Sequence, residues 1–214
     1  MMGKPRSPKG RARSTHERLK TEYEAVCELN HESPYQLLVA TILSAQCTDV
    51  RVNKTTPALF DRYPDAVALA HANQGELEEL VHPTGFYKSK ARNLVKMANQ
   101  LLDEHGGEVP TRLNDLVKLG GVGRKTANVI RSVAFGLPGL PVDTHVGRLA
   151  RRLGITEEED PVKVEMVLNR MIPQDQRGEF SLRVILHGRQ VCFARKPHCA
   201  DCLLNDFCPS AFNF

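Results

Sequence analysis

Four cysteines near the end of the 214-residue chain constrain its fold more than any other feature of the sequence. They are Cys192, Cys199, Cys202 and Cys208, in a C-x6-C-x2-C-x5-C run. Four thiolates so close in sequence can surround one centre, either a zinc ion or an iron–sulfur cluster. The basic N-terminal start is not followed by an apolar stretch, so we expect no secretory signal. In a reducing compartment, metal ligation explains the cysteines better than disulfides do.

The cysteine run also predicts how the last 25 residues are stabilised. A bound metal would staple a segment that has little apolar core of its own. The loop between the first two cysteines reads FARKPH, and its Arg195, Lys196 and His198 would project from a rigid base, where cations can contact phosphates. Cys27 and Cys47 lie in apolar helical contexts, which indicates core residues.

Apolar residues recur with helical periodicity, and no segment shows the sustained alternation that is typical of a strand. The stretch PYQLLVATILSA, which begins at Pro34, is apolar enough to be a buried helix. Residues 1–13 are rich in Pro, Gly, Lys and Arg and are predicted to be disordered, with the first helix starting near Ser14. The sequence therefore predicts an all-α fold. Further helices are predicted at 49–62, 65–71, 75–81, 87–105, 112–119, 124–135, 144–153, 161–171 and 177–191.

Basic residues are concentrated in parts of a chain whose net charge is +4. Residues 118–152 carry seven cations and one acid, and residues 177–198 carry five cations and one acid. Such segments can steer a polyanion to one face. Aromatic residues make up only 6% and Trp is absent, which disfavours the stacking platforms of single-strand binders. No apolar run reaches the roughly 18 residues that span a bilayer, so no membrane partner is expected.

A glycine-rich turn separates two predicted helices in LVKLGGVGRKTAN, residues 116–128. In the turn Gly121–Val122–Gly123 both glycines can take positive φ, and they let a ligand approach the backbone without a Cβ in the way. The N–H groups at the start of the helix that opens at Arg124 can bind an anion, and a phosphodiester fits the basic surroundings. An ordinary connection between helices is the alternative.

Lys125 and Asp143 are the candidates for chemistry. Lys125 lies in the first turn after the hairpin, where the helix dipole and Arg124 disfavour an ammonium and favour a nucleophilic amine. A simple phosphate contact is the alternative. Asp143 precedes a helix in LPVDTHVGR and is the only acid between residues 116 and 156. It can cap that helix, and a carboxylate in a basic field can also stay ionised and face cationic partners.

Three motifs together resemble the endonuclease III family of helix–hairpin–helix DNA glycosylases: LGGVGRKTANVI, the VDTHV segment beyond Lys125, and the terminal cysteine run. The segments SPYQLLVATILSAQCTDVRVNK and TGFYKSKARN resemble the family as well, so the likeness covers about residues 16–209. The resemblance implies two helical domains, one at 28–137 with six helices and the hairpin, the other made of 1–27 and 138–214. In the second, the four cysteines would hold a [4Fe-4S] cluster, and DNA would lie in the cleft between the domains.

The resemblance also implies roles for individual residues. Lys125 would attack the sugar of a flipped-out damaged nucleotide and form a Schiff base, and β-elimination would then cut the strand. Asp143 would help to deprotonate the lysine and stabilise positive charge on the sugar. Gln46 matches the residue that enters the space left by the base, and Phe86 stands where relatives have an apolar wedge. The implied partner is double-stranded DNA with an oxidised pyrimidine or an abasic site, bound by a monomer in the cytoplasm, on the nucleoid in a bacterium.

Two alternative functions share parts of this pattern. A monofunctional adenine glycosylase would have the hairpin, the aspartate and the cluster, but it carries a glutamate in the helix matching 35–46, which has no acid here, and generally lacks a lysine matching Lys125. A non-catalytic DNA-binding or redox-sensing module would have no reason to keep both Lys125 and Asp143. One departure from the family is Gly120, where many members have a proline, and it is expected to loosen the turn.

Overall fold

Residues 5–213 are described by a computed structural model, and every regular element in that range is a helix. The predicted all-α fold class is confirmed. Within the same range, no helix combines the length and the apolar character that crossing a membrane requires. The α-helices are α1 Pro8–Glu22, α2 Pro34–Leu43, α3 Asp49–Arg62, α4 Ala66–Ala70, α5 Gln74–Val81, α6 Tyr87–His105, α7 Leu113–Leu116, α8 Arg124–Val129, α9 Thr144–Arg152, α10 Pro161–Asn169 and α11 Arg177–Gln190.

The chain forms two compact units. One is continuous, Cys27–Leu137, and contains α2 to α8. The other combines the segment that ends at Val26 with the segment that starts at Pro138, and it contains α1 and α9 to α11. Each unit buries an apolar core of its own. We call them the hairpin unit and the cysteine unit.

Helix α2 runs through the core of the hairpin unit, and its residues from Leu37 to Leu43 are all buried. Ser33 caps the helix by accepting a hydrogen bond from Gln36 N, and Pro34 fills the first turn, where a missing N–H costs nothing. Helix α2 packs against α6, whose buried face is apolar apart from Lys90. Each leucine buried in this way stabilises the unit by about 1.5–3 kcal/mol.

Helix α1 covers much of the segment predicted to be disordered, 1–13, and begins before Ser14, so both predictions are wrong there. The Ser7 side chain accepts a hydrogen bond from Gly10 N at 3.1 Å and caps the helix, with a proline in the first turn. Ala12 is fully buried in the core of the cysteine unit, so the helix is held by packing despite its basic composition. The first four residues lie outside the described residues.

Two predicted helices near the hairpin differ in length from those observed. The helix predicted at 112–119 is the single turn α7, which ends before the glycine-rich turn. The helix predicted at 124–135 is α8 followed without interruption by a π-helical segment, Ile130–Ala134. Ile130 is fully buried, so the continuous helix anchors the hairpin in the core.

Candidate functional site

The predicted glycine hairpin joins α7 to α8. Gly121 has φ of 76°, a left-handed conformation that favours glycine. Gly123 has φ of −90° and ψ of 175°, so it does not use the positive φ that glycine allows; it is extended because it is the N-cap of α8. A Cβ on Gly121 would lie 3.1 Å from Cβ of Asn93, whereas a Cβ on Gly123 would meet no atom within 4 Å. The fold therefore requires Gly121 but leaves space beside Gly123.

Gly120 does not loosen the turn as expected. Its N–H donates to Gln100 Oε1 at 2.8 Å, and Gln100 Nε2 donates to Lys118 O at 3.0 Å, so one amide of α6 holds both sides of the turn. A Cβ on Gly120 would lie 2.7 Å from Asn93 O, closer than real Cβ atoms approach. A proline would add carbon at this contact and remove the N–H, so this hairpin is built around glycine here.

Helix α8 carries Arg124 and Lys125 in its first turn, and both residues are exposed. Gly123 caps the helix with its main chain alone. Val122, predicted to contact DNA, is only 6% exposed and packs in the core, and its N–H donates to Leu119 O at 3.1 Å. Val122 therefore supports the hairpin from the inside, while its neighbours in α8 face solvent.

Gln46 and Phe86, the two residues predicted to enter the DNA, lie in separate turns of the hairpin unit. Both are exposed, Phe86 to 67% of its surface. Both also adopt left-handed backbone conformations that are uncommon for residues other than glycine, with φ of 52° at Gln46 and 49° at Phe86. Phe86 immediately precedes α6.

Asp143 is the N-cap of α9 in the cysteine unit. Its Oδ1 accepts hydrogen bonds from His145 N at 2.8 Å and from Val146 N at 2.9 Å. The residue is half-buried, and the cap uses one of its two carboxylate oxygens. The geometry therefore confirms the capping role and keeps Oδ2 outside the cap.

The four cysteines of the terminal run are free and line a single, partly open cavity. Burial raises the pKa of the Cys202 thiol to about 11 and also raises that of Cys208, with the neighbouring cysteines adding to both effects. In the described part of the chain, no three or more His, Cys, Asp or Glu side chains are placed so that they could hold one metal ion. Four thiols at one cavity fit the donor set of an iron–sulfur cluster, which four-cysteine zinc sites share.

Two side chains of the cysteine unit contact these sulfur atoms. His187 Nε2 lies 3.3 Å from Cys202 Sγ, and its Nδ1 lies 3.1 Å from the Tyr23 hydroxyl. Arg152 NH1 donates to Cys192 Sγ at 3.3 Å. Hydrogen bonds to ligand sulfurs are part of what tunes iron–sulfur clusters, so the surroundings fit the cluster that the donor set indicates.

The arginines of α9 have a structural role that the charge pattern did not reveal. Arg148 NH2 donates to the carbonyl oxygens of Gly188 at 2.9 Å and Cys192 at 2.8 Å. Arg152 donates to the carbonyls of Phe193 at 2.7 Å and Ala194 at 2.9 Å. Arg148 and Arg152 belong to the basic stretch predicted to attract a polyanion, but here they fix the loop between Cys192 and Cys199, which we call the cysteine loop. Arg148 and Arg152 are four residues apart, about one helical turn. This spacing is the signal that could have indicated that they share one face of α9.

Arg195 and Lys196 are both exposed on the loop that these arginines hold. Lys196 has φ of 51°, so the main chain turns sharply at this residue. The loop continues to His198, whose ring packs edge-on against Phe193 with centroids 5.1 Å apart. The predicted phosphate contacts thus stand on a well-fixed loop.

Comparison with known proteins agrees with this arrangement. Residues 39–174 match the HhH-GPD superfamily of base excision DNA repair proteins, and residues 192–208 match the iron–sulfur binding domain of endonuclease III. Endonuclease III of Synechocystis sp. is 55% identical over 188 residues, which cover 87% of this chain and 86% of that protein. The chain belongs to the endonuclease III family. Family membership assigns it to base excision DNA repair, as a DNA glycosylase and abasic-site lyase that holds a [4Fe-4S] cluster.

Two solved structures of endonuclease III are similar over nearly the whole chain. A non-covalent complex with DNA matches with a TM-score of 0.90 and 39% identity, covering 99% of this chain and 97% of that one. A trapped covalent intermediate with DNA, described as an estranged-adenine complex, matches with a TM-score of 0.90 and 40% identity, covering 99% and 98%. Both neighbours are bound to DNA, which supports DNA binding by this member of the endonuclease III family.

Proposed function

We propose that this endonuclease III family member removes oxidised pyrimidines from double-stranded DNA and cleaves the resulting abasic site by β-elimination, with Lys125 as its nucleophile. The observation that carries the proposal is the exposed Lys125 in the first turn of α8, beside a glycine whose Cβ position is open. The backbone of DNA can come close to the short turn before Lys125. An exposed amine at this position is therefore well placed to attack a nucleotide. A buried or ion-paired lysine would not be.

The proposed chemistry is a substitution followed by an elimination. Lys125 Nζ, as the free amine, attacks C1′ of the flipped-out nucleotide, the C1′–N bond breaks, and the base leaves with a proton. The sugar ring then opens to an iminium. Loss of a proton from C2′ expels the phosphate at C3′, and water releases the lysine. We assign to Asp143 the removal of the lysine proton and the stabilisation of positive charge on the sugar.

DNA is proposed to be held by two phosphate contacts and two inserted side chains. The main chain from Gly121 to Gly123, with Arg124, forms the first contact, because N–H groups at a helix start bind anions. Arg195 and Lys196 on the cysteine loop form the second. Gln46 and Phe86 enter the duplex where the nucleotide has left the stack. Their exposure and the open Cβ position of Gly123 support these assignments.

The proposed ligands of the [4Fe-4S] cluster are Cys192, Cys199, Cys202 and Cys208. When bound, the cluster supplies a structural staple for the end of the chain, and it takes no part in the steps above. The thiols must lose their protons to bind the cluster. Burial opposes this deprotonation, and metal ligation favours it. Once formed, the staple would keep Arg195 and Lys196 in place. The protein is proposed to act as a monomer on DNA in the cytoplasm, on the nucleoid in a bacterium.

Borohydride trapping on abasic DNA tests the central assignment. The wild-type protein should become covalently linked to the DNA, and Lys125→Gln should lose trapping, base release and strand cleavage while its DNA affinity changes little. Lys54→Gln, which alters an exposed lysine of α3 in the same unit, is the matched control and should behave like wild type. Trapping that persists in Lys125→Gln, or a wild-type protein that releases bases but never traps, contradicts the proposal.

A further inference from the structure

Gln46 and Phe86 share an unusual backbone state. Each is a non-glycine residue with positive φ, 52° and 49°, and each side chain is exposed. A left-handed conformation costs about 1–3 kcal/mol at such residues and persists only where the surroundings impose it. The two exposed side chains cannot supply that constraint themselves. A buried group that contacts both turns must therefore fix their backbone conformation.

Lys90, in the first turn of α6, contacts both turns from below. It is only 5% exposed. Its Nζ donates to Leu43 O at 2.8 Å, three residues before Gln46, and to Thr84 O at 2.7 Å, two residues before Phe86. Its own N–H donates to Phe86 O at 3.0 Å.

A single ammonium thus ties together two chain segments that are about forty residues apart in sequence. Burial lowers the pKa of Lys90, so the site holds the charged group at a cost in solvation. Hydrogen bonds from a charged donor are stronger than those between neutral groups, and they offset part of that cost. A buried apolar side chain would fill the same space without linking the turns.

We propose that Lys90 is a positioning residue, which sets the two turns so that Gln46 and Phe86 enter the duplex together at the site of the missing nucleotide. The inference rests on the proposed roles of those two side chains. Lys90 itself, being buried, would not touch DNA. Its loss should therefore affect insertion more than phosphate binding.

The test uses the holoenzyme and a duplex that contains a tetrahydrofuran abasic analogue opposite 2-aminopurine. Insertion beside the unpaired 2-aminopurine should change its fluorescence when wild-type protein binds. Lys90→Met should lose most of that change. On a second duplex that carries an oxidised pyrimidine, it should slow single-turnover base release by about tenfold to a hundredfold, because small misplacements at a reacting site have effects of that size. Lys88→Met removes an exposed lysine from the same helix and should leave the signal unchanged.

A double-mutant cycle separates positioning from general destabilisation. In a Gln46→Ala/Phe86→Ala background, Lys90→Met should cause no further loss, because it acts through those side chains. An equal loss in both backgrounds, or an unchanged signal in Lys90→Met alone, overturns the inference. If the Gln46→Ala/Phe86→Ala protein itself keeps the full signal, the proposed insertion is what has failed. Lys90→Gln, a shorter neutral donor, should give an intermediate signal and serves if the methionine variant does not fold.

Discussion

The Gln100 side chain accepts a hydrogen bond from the N–H of Gly120 at 2.8 Å, and this contact fixes the hairpin to helix α6. The same amide donates to Lys118 O at 3.0 Å, so both halves of the turn depend on one side chain. The contact explains how a hairpin without the proline that is frequent in the family keeps its shape. Gly120 is buried against Asn93, where the backbone of α6 leaves no room for a Cβ.

Gln100→Ala should lower the free energy of unfolding by about 1–3 kcal/mol, because two hydrogen bonds of about 0.5–1.5 kcal/mol each are lost. Gly120→Pro should be more destabilising, since it removes the N–H and forces carbon against Asn93 O. Chemical denaturation of the purified variants measures both. Asn99→Ala, which removes a neighbouring amide that bonds Val95 O within its own helix, is the control. A Gly120→Pro protein as stable as wild type would contradict this account of the turn.

The two ends of the glycine turn should respond differently to substitution. Gly121→Ala should destabilise the fold by about 1–2 kcal/mol because alanine is strained at positive φ. Gly123→Val should cost less than about 1 kcal/mol as an N-cap change but should weaken DNA binding, since its side chain would occupy the space open to a ligand. Unfolding curves and binding titrations together measure the contrast. Normal DNA affinity in Gly123→Val would show that this space is not used.

Asp143→Asn should keep the stability of the protein and lose most of its activity. Asparagine caps helices about as well as aspartate, so α9 should be retained, while the carboxylate assigned to proton transfer is gone. Single-turnover cleavage and thermal unfolding are the measurements. Asp160→Asn changes the corresponding cap of α10, where Oδ1 accepts from Lys163 N at 2.9 Å, and should alter neither. Asp143→Asn that is fully active but unstable would leave only the capping role.

The purified protein should be yellow-brown and contain about four irons per chain. Cys199→Ser should lose the visible absorption and most of the iron, and the end of the chain should become sensitive to proteolysis. Cys47→Ser, in the hairpin unit, is the control and should keep both colour and iron. Zinc without iron in an anaerobic preparation would contradict the cluster assignment.

Removing both loop cations in Arg195→Ala/Lys196→Ala should flatten the dependence of log K on log salt for DNA binding by up to about two units, since two fewer counterions are released. Lys163→Ala/Arg170→Ala removes two exposed cations from around α10 in the same unit and should leave the slope unchanged. Binding titrations over a range of salt concentrations measure both slopes. Equal slopes for wild type and the loop variant would exclude a phosphate contact there.

Local signals predicted much of the fold. Pro34 after a serine, and an apolar run behind it, predicted α2, and Asp143 before a helical segment predicted the cap of α9. The same signal, Ser7 followed by a proline, was present at the start of α1. The basic composition of residues 1–13 outweighed this signal. In the structure, Ala12 packs in the core and Arg11 NH1 donates to Gly154 O at 3.2 Å, so two tertiary contacts hold that turn.

The contacts that shape the site could not be predicted in the same way. Lys90 lies in an amphipathic helix where a lysine indicates a solvent-facing position, and only the approach of two distant carbonyls makes its burial favourable. Gln100 is a common helix residue whose partners, eighteen and twenty positions away, are set by tertiary packing. Arg148 and Arg152 count equally in a charge profile whether they face DNA or hold a loop. Their roles depend on three-dimensional partners that a single sequence does not contain.

The cysteine unit is built from two chain segments that flank the hairpin unit, and this has a consequence for synthesis on the ribosome. Arg18, in α1, donates to Leu203 O at 2.7 Å and pairs with Asp206 at 2.5 Å. The hairpin unit, Cys27–Leu137, is continuous and can fold as soon as it has emerged. Helix α1 precedes the hairpin unit in the chain, so its partners in the cysteine unit are made only after the hairpin unit. Until those segments emerge, the buried face of α1 lacks the apolar partners that residues 140–207 supply in the finished cysteine unit.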